Sequence, residues 1–422
     1  MKRAIAAFAL AITLALPLAA QTFDPKKKYE VTFGVYGDLE RAYREVLSGP
    51  DFKAKYPNIT FKFQTADMNG HHNRLSTIIA AGEAANDIEA VEIRFISNLV
   101  ESGGLTDLGA KPFDGKVVGK DLVKFAMSNA TTTKGKLVAM PVDIAPAVLF
   151  YRKDLADAAG VKLDALKSWD EYIEAGKKLT LDRDGDGKKD QFAITHPGDV
   201  GVIPLNGGNG GWFEDGKPLE PKQKFLDVLD LVLKIRRAGI DADLGAWTPA
   251  WTQALKDGTV ATMPLGSWFG GALKTWIAPE SKGKWRVAYL PGKLYAAVGG
   301  TYLAIPAKVS AARKAAAWEV IKYLATSPVS QLAVFRAIDA FPALTTVYSD
   351  KVMDEGVEYF GGQKVRKIYA DVALHIPEAP VSEYDNVVLS IWMRAVGTVV
   401  FGKKSPEVLY EEARKKILAT VE

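Results

Sequence analysis

Cysteine is absent from the 422 residues. No disulfide can staple this fold, no thiolate can act as nucleophile or metal ligand, and no lipid can be attached through an N-terminal cysteine. A chain of this length can bury enough apolar surface to stand without staples. Histidine is scarce too, with only His71, His72, His196 and His375, four in all, so a histidine-rich metal centre is not expected. Neither charge sign dominates. The 54 Lys+Arg and 50 Asp+Glu leave a formal net charge of +4, and both signs are interspersed. A polyanion partner would need clustered cations, so nucleic acid is not expected. Lys26-Lys27-Lys28 is short and reads as a solvated tail.

Long hydrophobic runs are missing everywhere except the start. Lys2 and Arg3 precede an apolar stretch over residues 4–18, which ends at Ala19-Ala20. A basic head, an apolar middle and small residues at the end form a secretory signal peptide, expected to be cut after Ala20. A membrane anchor fits less well, because the run is marginal for about 30 Å of hydrocarbon and Pro17 interrupts it. The expected location of the mature chain is periplasmic or extracellular.

What the sequence does contain is alternation of strand-like and helix-like stretches from end to end, without a linker or an internal repeat. That argues an α/β fold. Residues 29–36 (YEVTFGVY), 59–64 (ITFKFQ) and 88–93 (IEAVEI) read as strands, and residues from Leu39 to Leu47 and 75–81 have helical spacing. Ser168-Trp169-Asp170-Glu171 has the spacing of a capping box. Ser327-Pro328 and Ser405-Pro406 place a cap before a proline at the first helical position, which predicts helices over 328–338 and 406–420.

Several segments taken in order carry a resemblance. They are 75–87 (LSTIIAAGEAAND), 135–143 (GKLVAMPVD), 151–155 (YRKDL), 168–179 (SWDEYIEAGKKL), 254–263 (ALKDGTVATM), 266–268 (GSW), 299–306 (GGTYLAIP), 316–324 (AAWEVIKYL) and 341–344 (FPAL). Together they resemble the carbohydrate branch of the extracellular solute-binding proteins of ABC importers, the maltose-binding-protein-like group. The resemblance implies a two-lobed periplasmic-binding-protein fold with discontinuous lobes, and a small carbohydrate held in the cleft. It places one lobe in 21–142 and 286–340, the other in 143–285 and 341–422, with hinge crossings near 141–144, 285–289 and 338–342. It also implies a monomer whose partner is the membrane permease of the importer. Pro146, Val148 and Arg152 depart from the family pattern, which bears on sugar identity more than on fold.

A sugar presents apolar C–H faces and a ring of hydroxyls, so its receptor needs flat aromatic walls and a few placed polar groups. There are nine Trp in the chain. Trp268, between Gly266-Ser267 and Gly270-Gly271, is the leading candidate for stacking, and in the family this position stacks on sugar. Trp212 follows the glycine run 207–211, which lacks the spacing of a dinucleotide loop. Trp247 and Trp251 lie four apart at a helix start, with core packing as the alternative. Tyr36, Tyr302 and Tyr384 are further aromatic candidates, whereas Trp169, Trp318 and Trp392 have core-like helical spacing. Among polar groups, Asp143 at a suspected crossing and Glu92 at a strand end are candidates to accept from hydroxyls. Asp38 reads as a helix cap, and Asp67 and Asn69 rank lower.

Residues 182–190 (DRDGDGKKD) match the first half of a calcium loop, with side chains from Asp182, Asp184, Asp186 and Asp190 and the carbonyl of Lys188. The bidentate glutamate is missing, since Ala193 holds the twelfth place; a metal-free acidic turn is the alternative. Catalytic motifs are thin. No His-Glu-x-x-His pair, Gly-x-Ser-x-Gly elbow or phosphate loop occurs. The expected role is non-enzymatic, with no cofactor required; a structural calcium in the acidic loop is the one candidate ion. Two rivals remain: a secreted glycosidase, which needs only two carboxylates, and the same fold binding a peptide or polyamine.

Overall fold

The computed structural model describes residues 22–84, 86–205, 212–214, 217–218 and 222–421. The expected signal peptide and the glycine run 207–211 lie outside the described residues. Among the described residues, ten strands and a larger number of helices alternate, in keeping with the α/β expectation.

The first sheet grows from β1 (Tyr29–Tyr36), whose β-branched and aromatic residues suit a half-buried pleat. It pairs in parallel with β2 (Ile59–Ala66) and with β3 (Ile88–Glu92). Phe33 and Phe63 stand opposite each other in register, and their rings stack at 5.0 Å. The helix Leu39–Ser48 covers this sheet with Leu39, Ala42, Tyr43, Val46 and Leu47, the one-sided stripe that 3.6-residue periodicity produces. The predicted helix 328–338 appears as Pro328–Ile338, with the Ser327 hydroxyl accepting from the Ser330 amide. The helix predicted over 406–420 runs Pro406–Val421. At Ser168 the capping box is half formed. Its hydroxyl accepts from the Glu171 amide at 3.1 Å, while the Glu171 carboxylate accepts from the amide of Lys167, one residue earlier than the box requires. Asp38 precedes its helix without capping it by its side chain and instead lies 3.5 Å from Arg41.

The strand that organises the rest is β4 (Met140–Arg152), buried at every position. Phe213–Glu214 (β5) and Lys217–Pro218 (β6) form a separate small ribbon. The first part of β4 lies antiparallel to β9 (Ala297–Ala304), which also pairs with β3, and to β10 (Phe341–Pro342). Its second part, Ala147–Arg152, pairs instead with β7 (Thr262–Gly266) and β8 (Trp285–Ala288). One strand therefore serves two sheets. The change of partner follows the second of two prolines: Pro146 still pairs with Ala297 and Ala147 already with Gly266, while the register against β9 shifts between Pro141 and Asp143 and again between Ile144 and Pro146. Proline has no N–H to give the ladder, so a strand interior tolerates it only at such irregularities. In β9 the matching flexure is at Gly299 and Gly300, with φ of 104° and 129°, values open to glycine and costly for other residues. Trp285–Ala288 pair with the second part of β4, whereas Ala297–Ala304 pair with its first part.

Beneath the sheet ends, β1 leaves room for a buried carboxyl group. A Cβ on Gly34 would stand 1.8 Å from a carboxylate oxygen of Glu89. Glu89 is fully buried, one oxygen accepts from Asn86 at 2.9 Å, and the other has no partner. His71 lies 3.9 Å away, but its Nε2 is bonded to the Ala90 carbonyl, and burial depresses its pKa. Burial also pushes Glu89 up to about 7 from 4.5. Above pH 4.5 the unfolded chain gives up a proton that the native state keeps, so this group makes stability fall as pH rises through that window. We expect Glu89→Gln to match the wild type near the acid end and to exceed it at pH 8 by about 1–3 kcal/mol. Urea unfolding at several pH values checks this; a constant difference across the range contradicts it.

Candidate functional site

Open α/β sheets gather ligand groups at the carboxyl ends of their strands, and here β1 and β3 end beside the flexed part of β9. Tyr36 closes β1. Its hydroxyl meets the Thr301 hydroxyl at 2.9 Å, and its ring lies 5.2 Å from that of His72. His72 stacks on Phe95 with centroids 3.9 Å apart. Its Nδ1 is 2.6 Å from the Met68 carbonyl and its Nε2 accepts from the Glu92 amide at 2.9 Å. That pair of bonds requires the neutral ring with its proton on Nδ1, and burial lowers its pKa to about 4. The His72–Phe95 stack is thus an uncharged platform that aims the end of β3.

Glu92 is buried, and one of its oxygens accepts from both the amide and the Nε of Arg94, at 3.1 and 2.9 Å. Its role in this geometry is to position Arg94, which is half exposed and was not among the residues singled out from the sequence. Asp143 is buried as well. One oxygen accepts from the Thr301 amide at 3.0 Å, and the other is enclosed without a partner. Burial pushes it up to about 6, with Glu92 adding to the rise and Thr301 opposing it. Asp143 therefore ties β4 to β9 below the floor of the site and does not present a carboxylate to the gap.

A cavity of about 160 Å³ opens between the sheet ends and the second half of the molecule. Arg94 and Ser97 form one wall, Val298 and Gly299 the floor, and Trp212 and Asn386 the opposite wall. Trp212 is half-buried; its ring lies 6.4 Å from Trp392, and the Lys224 ammonium sits 5.7 Å from its centre. Asn386 donates to the Asn98 side chain at 2.8 Å, bridging the helices Ile96–Glu101 and Asp385–Val399 across the gap. Asp385 also lines the cavity. One of its oxygens accepts from the Ser382 amide, the other is buried without a partner, and burial raises it to about 7.

Trp268 joins this site through the same floor. Its indole N–H donates to the Val298 carbonyl at 2.9 Å, and a Cβ on Gly299 would lie 3.1 Å from that indole nitrogen. Trp247 stacks on it with centroids 5.8 Å apart and planes at 25°. Trp247 is 57% exposed and holds φ at +66°, a left-handed conformation that a bulky side chain adopts only at a cost and that clusters at functional sites.

The other candidates divide by burial. Trp251 is 1% exposed and its indole N–H has no partner, so it is the packing base under Trp247, 4.8 Å away. Tyr302 is equally buried; its hydroxyl is hydrogen-bonded to Asn129, which lines the cavity, and burial raises its pKa. Tyr384 packs on Phe213 at 5.7 Å, and its neighbours Asp385 and Asn386 reach the cavity instead. Trp318 and Trp392 are core residues as expected, whereas Trp169 is only half-buried. Arg94, Ser97, Asp385 and Asn386 carried no local signal beyond adjacency to Glu92 and Tyr384.

The acidic loop is separate from the cleft. Asp182, Asp184 and Asp190 bring one oxygen each within 4.8 Å of one another. Asp186 turns its carboxylate to the Lys188 amide at 2.7 Å and stands outside that group. Arg183 lies 3.2 Å from Asp190 and holds its carboxyl below the usual range.

The architecture matches known proteins. A solved protein of Bifidobacterium animalis subsp. lactis Bl-04, an ABC transporter associated binding protein in complex with β-1,6-galactobiose, superposes with a TM-score of 0.73 over 94% of this chain and 98% of that one, at 22% identity. In sequence, the arabinooligosaccharide-binding protein of Bacillus subtilis is 26% identical over 291 residues, which span 66% of this chain and 65% of that protein. The arabinooligosaccharide-binding protein of Halalkalibacterium halodurans is 23% identical over 375 residues, 85% of this chain and 81% of that protein. The family model for bacterial extracellular solute-binding proteins matches residues 50–361. With two sheets sharing a strand, a gap between them and that match over most of its length, the chain belongs to the bacterial extracellular solute-binding protein family.

Proposed function

We propose that this protein is the extracytoplasmic sugar-binding component of an ABC importer, and that it captures a neutral saccharide by lobe closure and releases it unchanged. The observation that carries this reading is the pair of aromatic platforms near one floor residue: Trp212 and Gly299 both line the cavity, and Trp268, with Trp247 stacked on it, lies beside the same glycine. Flat rings separated along a floor suit the apolar faces of successive sugar units. The arabinooligosaccharide-binding relatives support a ligand of more than one unit.

The charge balance favours a neutral ligand. Arg94 is answered by Glu92, and Asp385 is shifted toward its protonated form. A peptide or polyamine would need unpaired charges facing it. The glycosidase reading would need two accessible carboxylates across the gap; Asp143 is enclosed, and Glu92 is ion-paired with Arg94 through one of its oxygens. In the mechanism, the lobes turn about the 141–146 stretch of β4 and the Gly299-Gly300 pair of β9. Sugar shifts the open–closed equilibrium because it touches both walls only when they approach. The bond between Asn98 and Asn386 belongs to that closed arrangement. The closed shape is what a membrane permease would recognise, on a monomer exported by the leader over residues 1–20. The acidic loop, with three carboxylates converging, would take calcium as a structural ion.

A thermal-shift panel of mono- and oligosaccharides, amino acids and polyamines tests the ligand class, with chromatography of any hit to show whether it is altered. A stabilising sugar recovered intact supports the reading; a cleaved glycan contradicts it. Trp268→Ala is expected to weaken the best sugar at least tenfold in titration calorimetry, about 1.4 kcal/mol or more, while the melting temperature changes little. Unchanged affinity would remove Trp268 from the site. Chelation is expected to lower the melting temperature and added calcium to restore it; an unchanged melt, with Asp182→Asn behaving as wild type, retires the calcium role.

A further inference from the structure

The wall that carries Trp212 has a second face. Behind it, a cavity of about 460 Å³ opens on the outer surface, bordered by Trp169, Pro204, Lys224, Asp227, Leu231 and Leu294. Three covalent or side-chain connections make it the reverse of the cleft. Pro204 borders this cavity while its neighbour Leu205 lines the cleft. Leu294 borders it while Ala297, three residues on, begins the cleft floor. Lys224 spans the wall, lining the outer cavity while its ammonium lies over the Trp212 ring.

Its lining has the composition that a carbohydrate needs. Trp169 is half-buried and meets Tyr172 edge-on at 5.5 Å, which braces the indole and leaves part of it uncovered. Pro204, Leu231 and Leu294 extend an apolar floor. On the rim, Lys234 pairs with Asp170 at 3.3 Å and with Asp230 at 3.1 Å, and Asp227 accepts from the neutral Gln223 amide at 2.7 Å. The rim, with Asp170, Asp227 and Asp230 beside Lys224 and Lys234, presents carboxylate oxygens and ammonium donors to hydroxyls around a flat ring.

We propose that this outer cavity is a second, weaker saccharide site, coupled to the cleft through Lys224 and the 294–297 segment. The ligand class follows the sugar reading above, and the site itself stands on its own lining. Occupancy on the outside would act on Trp212 and on the floor strand, so the two sites would change each other's affinity by the same factor.

Titration calorimetry with lactose and with arabinotriose tests this in the wild type, Trp169→Ala, Asp227→Arg and Trp268→Ala. The wild type is expected to show a tight phase and a second phase at millimolar sugar. Trp169→Ala and Asp227→Arg should each lose the second phase, with the tight phase shifted no more than a few-fold. Asp227 is exposed, so its variant keeps the test sound should Trp169→Ala fold poorly. Trp268→Ala should weaken the tight phase and keep the millimolar one. A single phase in the wild type, or a millimolar phase that survives in both rim variants, overturns the outer site. Loss of the tight phase alone, for both sugars, would count against the cleft reading and leave the outer site to be judged by its own phase.

Discussion

Everything in this molecule depends on the backbone of one strand finding partners in two places. A buried strand must satisfy each N–H and C=O, and β4 does so by pairing first with β9 and β10, then with β7 and β8. Two prolines interrupt its ladder, and the second, Pro146, sits where the partners change, so the strand is least constrained between the two sheets. β9 repeats the arrangement with glycines. The Asp143 carboxylate, accepting from Thr301, stitches the two strands together beside these weak points. A joint built this way concentrates the freedom of one sheet to turn against the other at a few residues.

The cleft inherits its chemistry from that joint. Its floor is the flexed part of β9, and the indole of Trp268 is bonded to the floor through Val298. Movement of β9 would therefore carry an aromatic wall with it. The opposite wall is set by an uncharged stack, His72 on Phe95, which fixes the end of β3 and so the place of Arg94. Buried acids in this region are pushed toward neutrality, and the one guanidinium has its own carboxylate. The surface left facing the gap is polar and aromatic with little net charge, which suits hydroxyl-rich ligands.

Local features were legible in the sequence to the extent that they are set by local physics. The alternation in residues 29–36 and 59–64 located two strands, and Ser-Pro pairs located two helix starts, because capping and periodicity act within a few residues. Trp247 and Trp251 show where that ends. Their four-residue spacing predicted a shared face, yet the left-handed backbone at Trp247 turns it outward while Trp251 is sealed in the core. Asp143 and Glu92 read from the sequence as hydroxyl acceptors; in the structure Thr301 and Arg94 each take one oxygen of these carboxylates, partners that no local pattern announces. Asn386 and Asn98 meet across nearly the length of the chain, and nothing in either neighbourhood announces it. Trp169 read as core from its spacing, and half of it faces a cavity that forms only when the helix Lys222–Ala238 packs beside it.

The central claim is that the two halves close on the sugar about β4 and β9. The absence of native cysteine makes this directly measurable, because two introduced thiols can be spin-labelled without background. Asn73 and Gln253 are exposed on helices at the two sides of the gap. With Asn73→Cys and Gln253→Cys labelled, pulsed electron-spin distance measurements should show a broad or longer distribution without ligand and a single shorter one at saturating sugar. A distribution that stays the same when calorimetry shows the sugar bound would contradict the account.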